Sequence, residues 1–135
     1  LNATVTGNNI DMQLDGTGNA VTGIFAQTAV ASPSGDNTNM CADIGGAGGL
    51  RNTFTHSMGG NMAAGEIRVR QRFVTTVTLP GYGGANNDDA AVVTYLAGRN
   101  TIVNAPTATA TNEVGLTPGA GGFVNAASCP QPNFP

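Results

Sequence analysis

At 135 residues, with five arginines, no lysine and a formal net charge of −3, the chain lacks the clustered cations that a nucleic-acid binder needs to displace counterions from phosphates. Apolar residues make up 40% of it but aromatics only 5%, with no Trp, so the core must use small and β-branched side chains. Such side chains fill the thin interior between stacked strands better than a broad helix–helix interface, and no run approaches the roughly 20 apolar residues of a membrane span.

One domain is expected over 1–135: a strand-rich body at 1–79, a helix within 86–100, and a strand with a Gly/Pro-rich tail at 101–135. Leu1 opens directly into a strand pattern, so the chain reads as mature or excised from something longer. Leu1, Ala3 and Val5 alternate with Asn2, Thr4 and Thr6 at the period of a half-buried strand. Gly7, Asn8 and Asn9 supply a turn, and Ile10, Met12 and Leu14 alternate again before the turn residues Asp15 to Asn19. Ala20 to Val30 predicts a third extended segment. Short strands with Asn and Gly at corners needing left-handed backbone suit either a sandwich or a coiled parallel solenoid.

Ala31 to Asn39 reads as an insertion loop, Met40, Ala42 and Ile44 as a strand, and Gly45 to Gly49 as a tight turn. Leu50 to Thr55 resumes a strand pattern, and Ser57 to Gly65 is a further loop. The strongest alternation runs from Glu66 to Leu79. It places Ile67, Val69, Gln71, Phe73, Thr75, Val77 and Leu79 on one face, with Glu66, Arg68, Arg70, Arg72, Val74, Thr76 and Thr78 on the other. It predicts one long strand, or two meeting at a bend, terminated by Pro80 and Gly81. Asn86 to Asn100 predicts the one helix. Asp88 or Asn87 caps it, Asp89 sits in its first turn, and Val92, Val93 and Leu96 form its apolar stripe. A short helix near 88–98 after many strands suits a cap over a sheet edge or core.

Cys41 and Cys129 lack the spacing of zinc or redox pairs, and a disulfide between them is the preferred reading. It would close a long loop and contribute about 4 kcal/mol in the chain-entropy account.

The opening Asn2-Ala3-Thr4-Val5-Thr6-Gly7-Asn8-Asn9-Ile10 resembles a rung of the right-handed parallel β-helix proteins. The rest resembles the C-terminal segment of large secreted bacterial β-strand-repeat proteins, in four stretches: Met40 to Gly46, Ile67 to Phe73, Ala90 to Val93 with Gly98-Arg99-Asn100, and Gly121 to Val124. The resemblance implies a mainly β fold, the last coils of a right-handed parallel β-helix or a related stack. It also implies a terminal cap, an extracellular or cell-surface location and no assigned chemistry. Only one clear rung motif is visible, so the chain reads as a cap stacking on a neighbouring repeat or another copy.

Little in the sequence points to catalysis. A Ser-His-Asp set assembled from Ser57, His56 and Asp43 lacks a nucleophile motif. Asp11, Asp43, Arg68 and Arg70 on neighbouring coils are what a polysaccharide-degrading site would need. Arg68, Arg70 and Arg72 lie about 7 Å apart along a strand and present forked donors to an acidic glycan, or else pair with acids or cover a half-buried face. Calcium is the one cofactor considered, at Asp36 or at Asp88 and Asp89, where a helix cap accounts for the acids without a metal. The Asn2-Ala3-Thr4 sequon reads as a surface coincidence. The sequence therefore predicts a non-catalytic structural or adhesive module. Its strand Leu1, Ala3, Val5 and Ile10 would self-associate or stack on neighbouring repeats, by extension into a fibre. A glycan-binding or polysaccharide-degrading domain is the alternative.

Overall fold

In the computed structural model, which describes residues 1–12, 22–28, 38–55, 66–72, 75–102, 113–115 and 121–130, the alternating segments become short strands. In chain order they are β1 (Asn2–Val5), β2 (Asn9–Asp11), β3 (Ile24–Gln27), β4 (Met40–Ile44), β5 (Thr53–Thr55), β6 (Ile67–Arg70) and β7 (Thr76–Pro80). Then follow helix α1 (Asp89–Arg99), β8 (Thr101–Ile102), β9 (Glu113–Gly115) and β10 (Gly122–Ala126).

The strands form three sheets, ordered β1-β4-β7-β10, β2-β5-β8 and β3-β6-β9. Every pairing is parallel. The chain visits the three sheets in the same order on each circuit, so strands three apart in sequence become hydrogen-bonded neighbours. Parallel register places like positions of successive circuits above one another. Met40 and Phe123 both register with Val77, Ile10 and Ile102 with Phe54, and Ile24 with Ile67. These rows line the interior, where Phe54, Val69, Val77 and Leu79 are wholly enclosed. Small and β-branched residues suffice because each need only touch its counterparts one strand spacing away.

The run from Glu66 to Leu79 resolves into the bent alternative, since β6 and β7 belong to different sheets. Its predicted inner face is buried at Ile67, Val69, Gln71, Thr75, Val77 and Leu79; Phe73 and Val74 lie outside the described residues. The bend is built on side chains: Gln71 Nε2 donates to Thr75 O, and Arg72 N–H donates to the Thr28 hydroxyl one circuit earlier. Glu66, expected to face outward, is buried. It precedes β6 at a corner, where the strand's alternation has not begun, and its carbonyl accepts the Ile24 N–H.

The predicted helix is present and shorter. Asp88 Oδ1 accepts from Ala91 N–H at 2.9 Å as its cap. Val92 and Leu96 are fully buried, with Val93 and Tyr95 packed beside them. Tyr95 meets Tyr82 edge to face at 5.7 Å. The segment leading into α1 lies along β10, with Phe123 N–H donating to Asn86 O. The helix itself packs against β9. One end of the stack is therefore closed by α1 and the residues before it.

Two expectations need correction. The Gly/Pro-rich tail expected within 101–135 contains a strand: β10 pairs with β7, and Phe123 is buried. Glycines hid it, yet Gly122 is required there, since its φ is +122° and a Cβ would sit 2.3 Å from Asn86 O. The strand expected over Leu50 to Thr55 begins only at Thr53, because Gly48–Leu50 form a 3₁₀ turn. Cys41 and Cys129 form a disulfide with Cα atoms 5.5 Å apart. Among the described residues, no helix is long and apolar enough to cross a membrane.

Candidate functional site

The end of the stack opposite α1 is made by β1, β2 and β3, each with one strand neighbour among the described residues. Leu1 O accepts from Cys41 N–H and Val5 O from Gly45 N–H. In a parallel ladder alternate residues bond to opposite sides, so Asn2 and Thr4 turn their backbone N–H and C=O to the outer edge. Of the assembly-strand residues, Leu1 is 75% exposed, whereas Ala3, Val5 and Ile10 are half-buried beneath that edge. The site is thus a row of backbone groups with a thin apolar layer behind it.

What aligns this coil with the next is a polar corner. Asn8, Asn52 and Asn100 each immediately precede a strand, β2, β5 and β8, and they stack. Asn52 Oδ1 accepts from Asn8 N–H and Asn8 Nδ2 at 3.1 and 3.0 Å. Its Nδ2 donates to Val5 O and to Asn100 Oδ1 at 2.8 and 2.9 Å. Asn100 Nδ2 then donates to Leu96 O in the last turn of α1. Asn52 is completely buried, and its donors and acceptor are all used, as a buried amide requires. The ladder was not anticipated, although an Asn before each of three strands, separated by 44 and 48 residues, was visible in the sequence.

Arg51, which sequence reasoning passed over, and Arg99, read from sequence only as part of the helix end, tie the same corner. Arg51 donates to Gly98 O, Asn100 O and Thr101 Oγ1. Arg99 donates to Ile44 O, Gly45 O and the Asp43 carboxylate, with its guanidinium 5.2 Å from the Tyr95 ring centre. Burial, and secondarily Asp43, pushes the Tyr95 phenol up, against the opposing pull of Arg99. Gly45 fits here because its φ is +73° and a Cβ would lie 2.3 Å from Arg99 O.

Arg68, Arg70 and Arg72 do form a row, on and just beyond the central strand of the third sheet. Arg68 registers between Phe25 and Glu113, and Arg70 between Gln27 and Gly115. Arg68 lies 5.3 Å from the Phe25 ring centre, a cation–π distance. All three are half-buried and engaged within the chain.

The catalytic constellations do not assemble among the described residues. Asp43 is on the first sheet, paired with Arg99; Asp11 is on the second and accepts from Thr55 Oγ1; Arg68 and Arg70 are on the third. His56 and Ser57 lie outside the described residues, as does the calcium candidate Asp36. Asp88 is the helix cap, and burial, then the neighbouring Asp88 charge, raises the Asp89 carboxyl. Among the described residues no group of three or more His, Cys, Asp or Glu side chains could hold a metal ion.

No protein family matches the chain, no curated protein is similar to it, and no solved structure matches its fold.

Proposed function

We infer that the chain is a non-catalytic structural module: the closing coils of a parallel β-helix whose first coil stacks on strands of a neighbouring repeat or a second copy. The observation that carries this reading is the inequality of the two ends. Segment 85–89 and α1 cover the outer edge of β10 and the core beside β9. The outer edges of β1, β2 and β3 face no described strand. Repeat stacks need both ends covered, and an uncovered parallel edge is a template for another strand. The three parallel sheets, visited in fixed order, support the β-helix assignment, and the strong preference for right-handed crossovers between parallel strands gives its hand. Low charge, a disulfide and the resemblance to secreted strand-repeat proteins support an extracellular or cell-surface setting.

With one end closed, stacking proceeds from one face per chain. Copies then meet as closed pairs and do not extend into an open fibre. Light scattering and sedimentation of the purified chain across a concentration series test this, with Thr4→Pro as the perturbation. That proline removes an outward N–H while leaving the β1–β4 ladder its bonds. Concentration-dependent dimers lost in Thr4→Pro support the reading. A chain that stays monomeric throughout overturns self-stacking, and long polymers overturn the closed end.

A further inference from the structure

A groove of about 330 Å³ lies on the outer face of the first sheet, reaching β1 through Leu1 and Asn2 and lined by none of the arginine row. Its floor is the register row Asn2, Cys41 and Thr78 across β1, β4 and β7. One wall is the end of β10 and the residues after it, with Ala126, Ser128 and Pro130 in the lining. Two bonds hold that wall to the floor: the Cys41–Cys129 disulfide, and Asn2 Nδ2 donating to Pro130 O at 2.9 Å. The volume is at the lower end of the roughly 300–1,000 Å³ of small-molecule sites.

The hydrogen bonds of its three amides fix what each can offer. Asn39 Oδ1 accepts from Thr76 N–H at 2.8 Å, and Asn125 Oδ1 accepts from Gly81 N–H at 2.9 Å. Each of those side chains therefore retains its Nδ2 donors, oriented by a backbone bond on the other side of the amide. Asn2 uses one Nδ2 donor on Pro130 O and retains the other, together with its carbonyl oxygen as an acceptor. The Thr78 and Ser128 hydroxyls, which both donate and accept, complete the polar lining, and Leu1, Met40, Ala126 and Pro130 supply apolar surface beside them. Among the described residues, no Asp, Glu, Lys, Arg or His side chain lines the groove, so its described lining offers a charged ligand no side chain of opposite charge. Vicinal hydroxyls match amides and hydroxyls, and the C–H faces of a sugar ring match the apolar patches.

We propose that this groove binds a neutral carbohydrate of one or two rings. The recognition depends on Asn39, Asn125, Thr78 and Ser128 and needs no metal. It would let a stacking module hold a neutral surface glycan without involving the arginine row.

The test uses the whole, isotopically labelled chain. Side-chain amide resonances of Asn39 and Asn125 are followed by NMR while maltose, cellobiose, lactose or diacetylchitobiose is titrated to about 20 mM, above the millimolar Kd expected of a few exposed hydrogen bonds. Saturable shifts of both amides with at least one sugar are expected. Thr78→Val preserves shape and should raise Kd about three- to tenfold, the effect of one lost hydrogen bond. Arg70→Gln should leave Kd unchanged. Soluble starch and hydroxyethylcellulose in parallel separate a free sugar from a polymer as the source, since tighter binding of the polymer than of its disaccharide assigns the polymer. No shift of either amide with any of the four disaccharides overturns the proposal. So does a Kd indifferent to Thr78→Val, or a response confined to digalacturonic acid and removed by Arg70→Gln.

Discussion

Removing the amide of Asn52 tests whether the asparagine corner, as distinct from the apolar rows, fixes the stacking of successive coils. In Asn52→Ala the two bonds to Asn8 are lost at an exposed position, where water replaces them, so they count for little. The bonds to Val5 O and Asn100 Oδ1 are different. Each is worth about 1 kcal/mol net, and Asn100 Oδ1 is left buried without its partner, which costs roughly 1–3 kcal/mol more. Val5 O is spared that penalty because Gly45 N–H also donates to it. The sum is about 3–5 kcal/mol, a large share of the roughly 5–15 kcal/mol of an ordinary domain. Urea unfolding should therefore show a midpoint lower by about 2 M at unchanged m, whereas Asn8→Ala should cost under about 1 kcal/mol. Asn52→Asp keeps the acceptor for Asn8 but turns an oxygen toward two acceptors and buries a carboxyl, raising its pKa. A raised folded pKa in an acid means that stability is lost as pH rises through that value, so this variant should be closer to wild type at pH 4 than at pH 7. A cost below about 1 kcal/mol for Asn52→Ala, or a pH-independent deficit for Asn52→Asp, would refute the assignment.

Reducing the disulfide, or replacing Cys41 and Cys129 by Ser, should lower stability by about 4–5 kcal/mol in the chain-entropy account for a separation of 88 residues, read as a lower urea midpoint with dithiothreitol. Asp89, with a buried Oδ1 lacking a partner and a carboxyl raised by burial and then by Asp88, loses stability as pH rises through its folded pKa. Asp89→Asn should therefore raise Tm relative to wild type more at pH 7 than at pH 3, and an equal change at both would count against it. Gly45→Ala forces a side chain into left-handed backbone and against Arg99 O, and should lower stability by at least about 2 kcal/mol in thermal unfolding, several times the cost of Gly49→Ala, which meets no neighbour.

The strands were legible where alternation was strict. Ile67, Val69, Val77 and Leu79 were placed on the buried face from period alone, and α1 from its acidic cap and its Val92–Leu96 spacing. Strand order was not legible, since a parallel neighbour lies about 40 residues away and carries no repeated motif: Met40, Val77 and Phe123 share a row with three different side chains. The same blindness affected the sites. The arginine row follows from spacing within one strand and was found. The asparagine corner and the groove are assembled from different circuits, and only the register between circuits brings Asn8 to Asn52 or Asn2 to Thr78. β10 was missed because glycine content suggested a loose tail, while Gly122 instead permits close approach to Asn86.

The corner also links the two ends of the stack. Asn100 is both the last rung of the asparagine ladder and the residue that terminates α1, through its bonds to Asn52 and to Leu96 O. Arg99, one residue earlier, reaches Asp43 and the end of β4, whose strand carries β1 on its far side. The closing helix is thus fastened to the coil immediately beneath the open edge, within one hydrogen-bonded unit. A neighbour bound to β1 orders the backbone of Leu1 to Val5, and the Val5 carbonyl lies on that unit, accepting from Asn52 Nδ2 and Gly45 N–H. Stacking at the open end should therefore slow amide exchange at Asn52 and Asn100 as well as at Asn2 and Thr4, whereas the arginine row, which belongs to the third sheet, should exchange as before.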